Sequence, residues 1–190
     1  QTDQGPVQLP TNVDHARIVA QIPGLRRYAR ALTGNAWVAD DLVQDTLERA
    51  CSKWRLWVPD SDLRAWLFTL MHNLFANDVR RLARQRQAGV QVDLDDVPNE
   101  LAAPDAGQDL SIDLQRCLLQ LPEEQREVLL LASMEDMRYE DIARVTGAPI
   151  GTVMSRLSRA RARLQLLLDA PATAVGQPNA SGSTVSPLRR

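Results

Sequence analysis

The sequence predicts an all-α protein: two small helical domains joined by an acidic flexible linker, the second domain containing a helix-turn-helix. Three observations predict this. Apolar residues recur at three- and four-residue spacing on both sides of the chain's middle. The middle itself is rich in Gly, Pro and carboxylates and contains no Lys or Arg. Residues 139–165 carry the small, glycine, apolar spacing of two helices meeting at a tight turn.

Composition bounds the rest. At 190 residues and 44% hydrophobic content the chain can bury one medium core or two small ones. Its longest apolar run, around Val128 to Ala132, falls far short of the roughly 18–20 residues that cross a bilayer. No signal-peptide pattern is present, so the default compartment is the cytoplasm. Cys51 and Cys117 are far apart, and His15 and His72 are isolated, so neither a metal site nor a disulfide is expected. The net charge of −2 hides a division along the chain. Residues 88–111 hold Asp93, Asp95, Asp96, Glu100, Asp105 and Asp109, a local −6, whereas residues 138–165 set six Arg against Glu140 and Asp141, a local +4. Of the 22 cationic residues 21 are Arg, which suits bidentate contact with phosphate and guanine and equally fits a bias in genomic base composition.

Residues 1–14 lack periodicity and read as a flexible arm. A helix follows with Ile18, Val19 and Ile22 and, past the interruption at Pro23-Gly24, Leu25, Tyr28, Ala29 and Leu32; Thr33-Gly34-Asn35 stops it. The next runs from about Val38 to Lys53, with Leu42, Val43, Leu47, Ala50 and Cys51 on its apolar side. After a loop at Pro59-Asp60-Ser61-Asp62, a long helix spans about Leu63 to Arg86 with a stripe of Leu67, Leu70, Met71, Leu74, Phe75, Val79 and Leu82. These make a first domain over 15–86. The linker, 87–110, could reach about 80–85 Å if fully extended and would average about 27 Å as a free coil. The second domain, 111–170, starts with Ile112, Leu114, Cys117, Leu118 and Leu121. Pro122 then opens a helix with acids in its first turn. The composition of 171–190 predicts disorder.

In the helix-turn-helix, Ala143 lets the helices approach, Gly147 four residues on permits a left-handed turn, and Val153 plugs the second helix into the core. Val153, Leu157, Ala160, Leu164 and Leu167 or Leu168 form its buried stripe. Gly151, Thr152, Ser155, Arg156, Ser158, Arg159 and Arg163 are left for solvent. Short hydroxyls at a helix start reach base edges or phosphates, and arginines a turn later clamp the backbone. An ordinary basic amphipathic pair is the plain alternative.

Taken together, ADDLVQDTLERAC (39–51), DLRAWLFTLMHNLFANDVRRLAR (62–84), LPEEQREVLLL (121–131) and YEDIARVTGAPIGTVMSRLSRARARL (139–164) resemble a bacterial RNA polymerase sigma factor of the extracytoplasmic-function (ECF) class of the sigma-70 family, over about residues 15–168. The resemblance implies an alternative sigma factor with no catalytic residues, cofactor, metal or small-molecule substrate. Its partners would be core RNA polymerase, through the β′ clamp helices and the β flap, promoter DNA, and an anti-sigma factor, often membrane-anchored, that would hold it at the inner membrane face. The polymerase-binding residues implied are Asp40, Asp41, Gln44, Asp45 and Glu48; four carboxylates on one helix face repel one another unless solvated or met by cations. For melting and recognition of the −10 element the resemblance implies Asp60 and Ser61 in the loop from Leu56 to Asp62, then Asn73, Asn77, Arg80, Arg81 and Arg84 on the long helix, with Arg86 beyond. Strand capture needs cations for phosphates and pockets for unstacked bases. Trp54, Trp57 and Trp66 could stack on bases, although core packing is expected for at least two of them.

For the −35 element the resemblance implies Met154, Ser155 and Ser158 at bases, with Thr152, Arg156 and Arg159 on or near the backbone. Met154 departs from the Lys or Arg usual there, which implies an apolar contact, for instance to a thymine methyl. The acidic linker suits a basic channel by mimicking nucleic acid; the plain alternative is a tether. A stand-alone helix-turn-helix regulator is the competing function. It would dimerise on palindromic sites and leaves both the acidic face and the long helix's cationic face unexplained.

Overall fold

In a computed structural model the structure describes residues 12–58, 61–88 and 112–169, and these are helical with no strand among them. The first domain consists of α1 (Asn12–Val19), α2 (Ile22–Thr33), α3 (Ala36–Ser52), a 3₁₀ turn at Trp54–Leu56 and α4 (Leu63–Gln87). The second consists of α5 (Ile112–Leu119), α6 (Glu123–Ser133), α7 (Tyr139–Thr146) and α8 (Ile150–Asp169). Residues 1–11, most of the acidic linker and the segment from 170 onward lie outside the described residues.

Local chemistry places the helix ends. The break expected at Pro23-Gly24 falls earlier, at Ala20-Gln21, so two helices replace one. Pro23 lacks an N–H and is tolerated only in a first turn, so it begins α2 rather than interrupting it. Val19, assigned to the apolar stripe, is exposed because α1 ends there. Gly34 closes α2 at φ +72°, donating its N–H to the Arg30 carbonyl. Asn35 caps α3, its Oδ1 accepting from the backbone N–H of Trp37 and Val38.

The apolar stripes converge as their periodicity requires. Leu25, Tyr28 and Leu32 of α2 meet Leu42 and Val43 of α3 and Leu67, Phe68 and Met71 of α4; Tyr28 stands edge-on to Phe68 with ring centroids 5.1 Å apart. Trp54 and Trp57 are buried and stack at 4.7 Å, while Trp66 lies partly buried against Trp54. Two of the three are therefore core residues and not free to meet bases. In the second domain Val128 and Leu131 of α6 pack with Ile142 and Val145 of α7 and with Val153, Leu157 and Ala160 of α8. Leu167, rather than the exposed Leu168, ends that stripe. Ile112, expected to be apolar core, is exposed, and Cys51 and Cys117 are half-buried free thiols.

The two domains do not stand apart. Helix α2 packs on α5 and α6, α4 packs on α7, and the buried residues of both domains join in one cluster. Gly34 touches the second domain directly: a Cβ there would come within 2.5 Å of a Leu119 methyl carbon.

Candidate nucleic-acid interface

Helix α3 carries the acidic stripe on the side turned from the core. Asp40, Asp41, Gln44, Asp45 and Glu48 are all exposed. They are not equivalent. Asp40 pairs with Arg26 of α2 at 3.1 Å, and Gln44 donates to Glu48 at 3.0 Å. Asp41 and Asp45 form no ion pair among the described residues. The Asp45 carboxyl is pushed above the usual carboxylate range, first by desolvation and then by the charges of Asp41, Glu48 and Asp78. Trp37, 70% exposed, begins the same stripe one turn before Asp41. Sequence reasoning passed over it.

On α4, Asn73, Asn77, Arg80, Arg81 and Arg84 are exposed and run along the side away from the buried stripe. Arg80 donates to the Asn77 Oδ1 at 2.9 Å, Arg81 pairs with Asp78 at 3.1 Å, and Arg84 Nε donates to the Arg80 carbonyl at 3.3 Å. The row is thus held close to its own helix. Ser61 is exposed at the entrance to α4; Asp60 lies outside the described residues.

The helix-turn-helix has the expected turn, with Gly147 at φ +63° and nothing near its Cβ position. A side chain would fit there, so the glycine answers backbone conformation alone. On α8, Met154 (53% exposed), Ser158 and Arg159 face solvent. Ser155 donates to the Thr152 carbonyl. Arg156 is bound to Glu124 at the start of α6 at 2.5 Å. Thr152 and Arg156 look across a groove of ≈ 450 Å³ at Arg80 and Val79 of α4, above Glu124 and Glu127. That volume suits a few side chains, not a duplex.

Six residues gather at the seam between the domains, and no sequence pattern assigned them to it. Glu135, in the loop after α6, is paired with Arg27 of α2 and Arg64 of α4. Glu127 of α6 lies 2.6 Å from His72 Nδ1 and accepts from the Tyr28 hydroxyl at 3.5 Å. Burial, followed by the Glu127 charge, holds the Tyr28 hydroxyl well above its ordinary range. Glu127 sits inside the run EVLLL, where its charge is the anomaly; that was the one available signal.

Residues 18–72 match the model of the sigma2 domain of PhyR, and residues 111–164 match sigma-70 region 4. Over 154 residues the chain is 40% identical to the ECF RNA polymerase sigma factor EcfG of Rhodopseudomonas palustris, covering 80% of this chain and 82% of that one. The chain belongs to the ECF RNA polymerase sigma factors. This sigma factor is also 36% identical over 142 residues to SigE of Mycolicibacterium smegmatis, covering 73% of itself and 55% of SigE. Its fold matches RpoE of Bartonella quintana, solved with the anti-sigma factor NepR, at 35% identity and a TM-score of 0.74, over 84% of this chain and 99% of RpoE. It also matches CnrH, solved with the cytosolic domain of CnrY, at 28% identity and a TM-score of 0.59, over 82% and 87%. No helix among the described residues is long and apolar enough to cross a membrane.

Proposed function

We propose that this ECF sigma factor gives core RNA polymerase its promoter specificity without catalysing anything itself. The first domain docks on the β′ clamp helices through the acidic face of α3 and holds the opened −10 strand along α4. The second meets the β flap and reads the −35 element with α8. The observation that carries this reading is the stripe of Asp41, Asp45 and Glu48 on α3, exposed and mutually repelling. A helix keeps such a face at a cost unless a cationic partner relieves it. Trp37, at the head of the stripe, supplies the apolar anchor that such a charged contact otherwise lacks.

On α8 the exposed Met154, Ser158 and Arg159 fit base and phosphate contacts. The sigma factor acts in the cytoplasm and is sequestered by an anti-sigma factor of the kind that NepR is for RpoE. In support, a TM-score of 0.74 over 84% of this chain requires both domains to superpose on RpoE together. A stand-alone regulator would leave the α3 stripe without a purpose.

Transcription in vitro from purified core polymerase and a panel of promoter fragments tests the proposal. Initiation at defined start sites only when this chain is added is the expected result. Sequence-specific binding by the chain alone, with no effect on core polymerase, would replace it with the stand-alone regulator.

A further inference from the structure

Glu135 belongs to the second domain, yet both its cationic partners belong to the first. Its side chain is 1% exposed. Arg27 donates to Oε1 at 2.9 Å, and Arg64 reaches both Oε2 and the Glu135 carbonyl oxygen at 2.5 Å. The next residue, Asp136, adopts φ +49°, a left-handed conformation that only a few residue types tolerate, as the loop leaves the seam. On the facing helix stands Gly24, where a Cβ would already lie 3.4 Å from Oε2. Glu127 repeats the arrangement with His72 and Tyr28, and Gln115 of α5 adds a hydrogen bond to the Ala31 carbonyl at 3.1 Å.

We propose that Glu135, clamped by Arg27 and Arg64, is a latch that holds the free chain closed and must release before both domains can occupy a promoter. The second half rests on the promoter-specificity reading above. Elements centred roughly 25 base pairs apart are separated by about 85 Å along B-form DNA. A compact body of about 150 residues is only about 40 Å across. Closed, the two recognition surfaces cannot reach both elements. The closed form also turns Thr152 and Arg156 into the groove beside α4, with Arg156 neutralised by Glu124.

An ionic seam suits a device that must let go. Charges leaving a buried pair recover their hydration, so the pair fixes the arrangement more than it strengthens it. Arg27 and Arg64, each 38% exposed, already keep one side in water. Removing the Glu135 charge takes away the one carboxylate that ties these two guanidinium groups of the first domain to the second, so the ionic bond across the seam is lost.

A distance measurement on the full chain, free of any partner, tests the latch. Cys51 and Cys117 are replaced by Ala, and labels are placed at Ser52→Cys on the first domain and Arg161→Cys on the second, both exposed positions. The expected distribution is narrow and short. Glu135→Gln and Arg64→Ala should each raise the long-distance population at least several-fold, with helical circular dichroism unchanged. Should Glu135→Gln fail to fold, the half-exposed Arg64→Ala decides. Unchanged distances in the folded variants, or a broad, long distribution in the chain with its latch intact, would overturn the proposal. A parallel measurement adds core polymerase and promoter DNA. Long distances are expected there; a bound chain still at the short distance overturns the second half alone, and a chain that never binds core overturns the function proposed above while the free-chain distances still decide the latch.

Discussion

Met154 is exposed on α8 and belongs to the proposed base-reading set, at a position where the resemblance implies Lys or Arg. A thioether donates no hydrogen bond and accepts one only weakly, so the contact proposed there is apolar. Met154→Arg should shift preference toward guanine at one upstream position by about 1–3 kcal/mol, read by binding of the holoenzyme to a panel of upstream sequences. An unchanged preference would remove Met154 from the base-reading set. Asp45 shows the opposite economy. Its carboxyl titrates above the usual range, so the protonated form suits the fold: its contribution to stability is complete below the ordinary pKa and is lost as pH rises through the folded-state value. At neutral pH the charged group opposes folding. Asp45→Asn should therefore raise the melting temperature at pH 7 by about 1–2 °C, with the gain vanishing in acid, while weakening binding to core polymerase. A variant that lost both stability and binding would make Asp45 a structural residue.

At the scale of elements, local rules account for nearly every helix. The stripes on α3, α4 and α8 followed from apolar spacing, and Gly34 and Gly147 end their helices in the left-handed region as expected. The exception is instructive. By spacing alone Pro23-Gly24 reads as a break within one helix, but the missing N–H of Pro23 fits it to a first turn, which puts the break at Ala20-Gln21 and exposes Val19. Gly34 has a second duty that no local rule announces, because a Cβ there meets Leu119 from a helix 85 residues away in sequence. Gly34→Ala should cost about 1–3 kcal/mol by chemical denaturation, part from the left-handed backbone and part from the contact. Adding Leu119→Ala should recover the steric share only. Full recovery would mean the backbone conformation costs nothing, and none would mean the contact is not made.

At the scale of the whole molecule, the seam joins two units that composition had set apart. Because α2 and α4 share buried surface with α5, α6 and α7, the free chain should unfold in urea as a single transition. Arg64→Ala should split it into two transitions of smaller slope, since each domain then exposes its own surface separately. Coincident fluorescence and circular dichroism curves in that variant would show that the clamp does not couple the domains.

Read alone, the sequence determined the helices, the turn chemistry, the two-domain plan, and the exposed polar faces of α3, α4 and α8. Those features are written in near-neighbour spacing, where a period of 3.6 residues or a single glycine is enough. Only the tertiary structure decided that the domains close on each other, that Trp54 and Trp57 are the two tryptophans expected in the core, and that Glu127 and Glu135 are buried among side chains from the other domain. The physical reason is separation. Arg27 and Glu135 stand 108 residues apart, and an ion pair leaves no periodic trace in either strand of sequence that makes it.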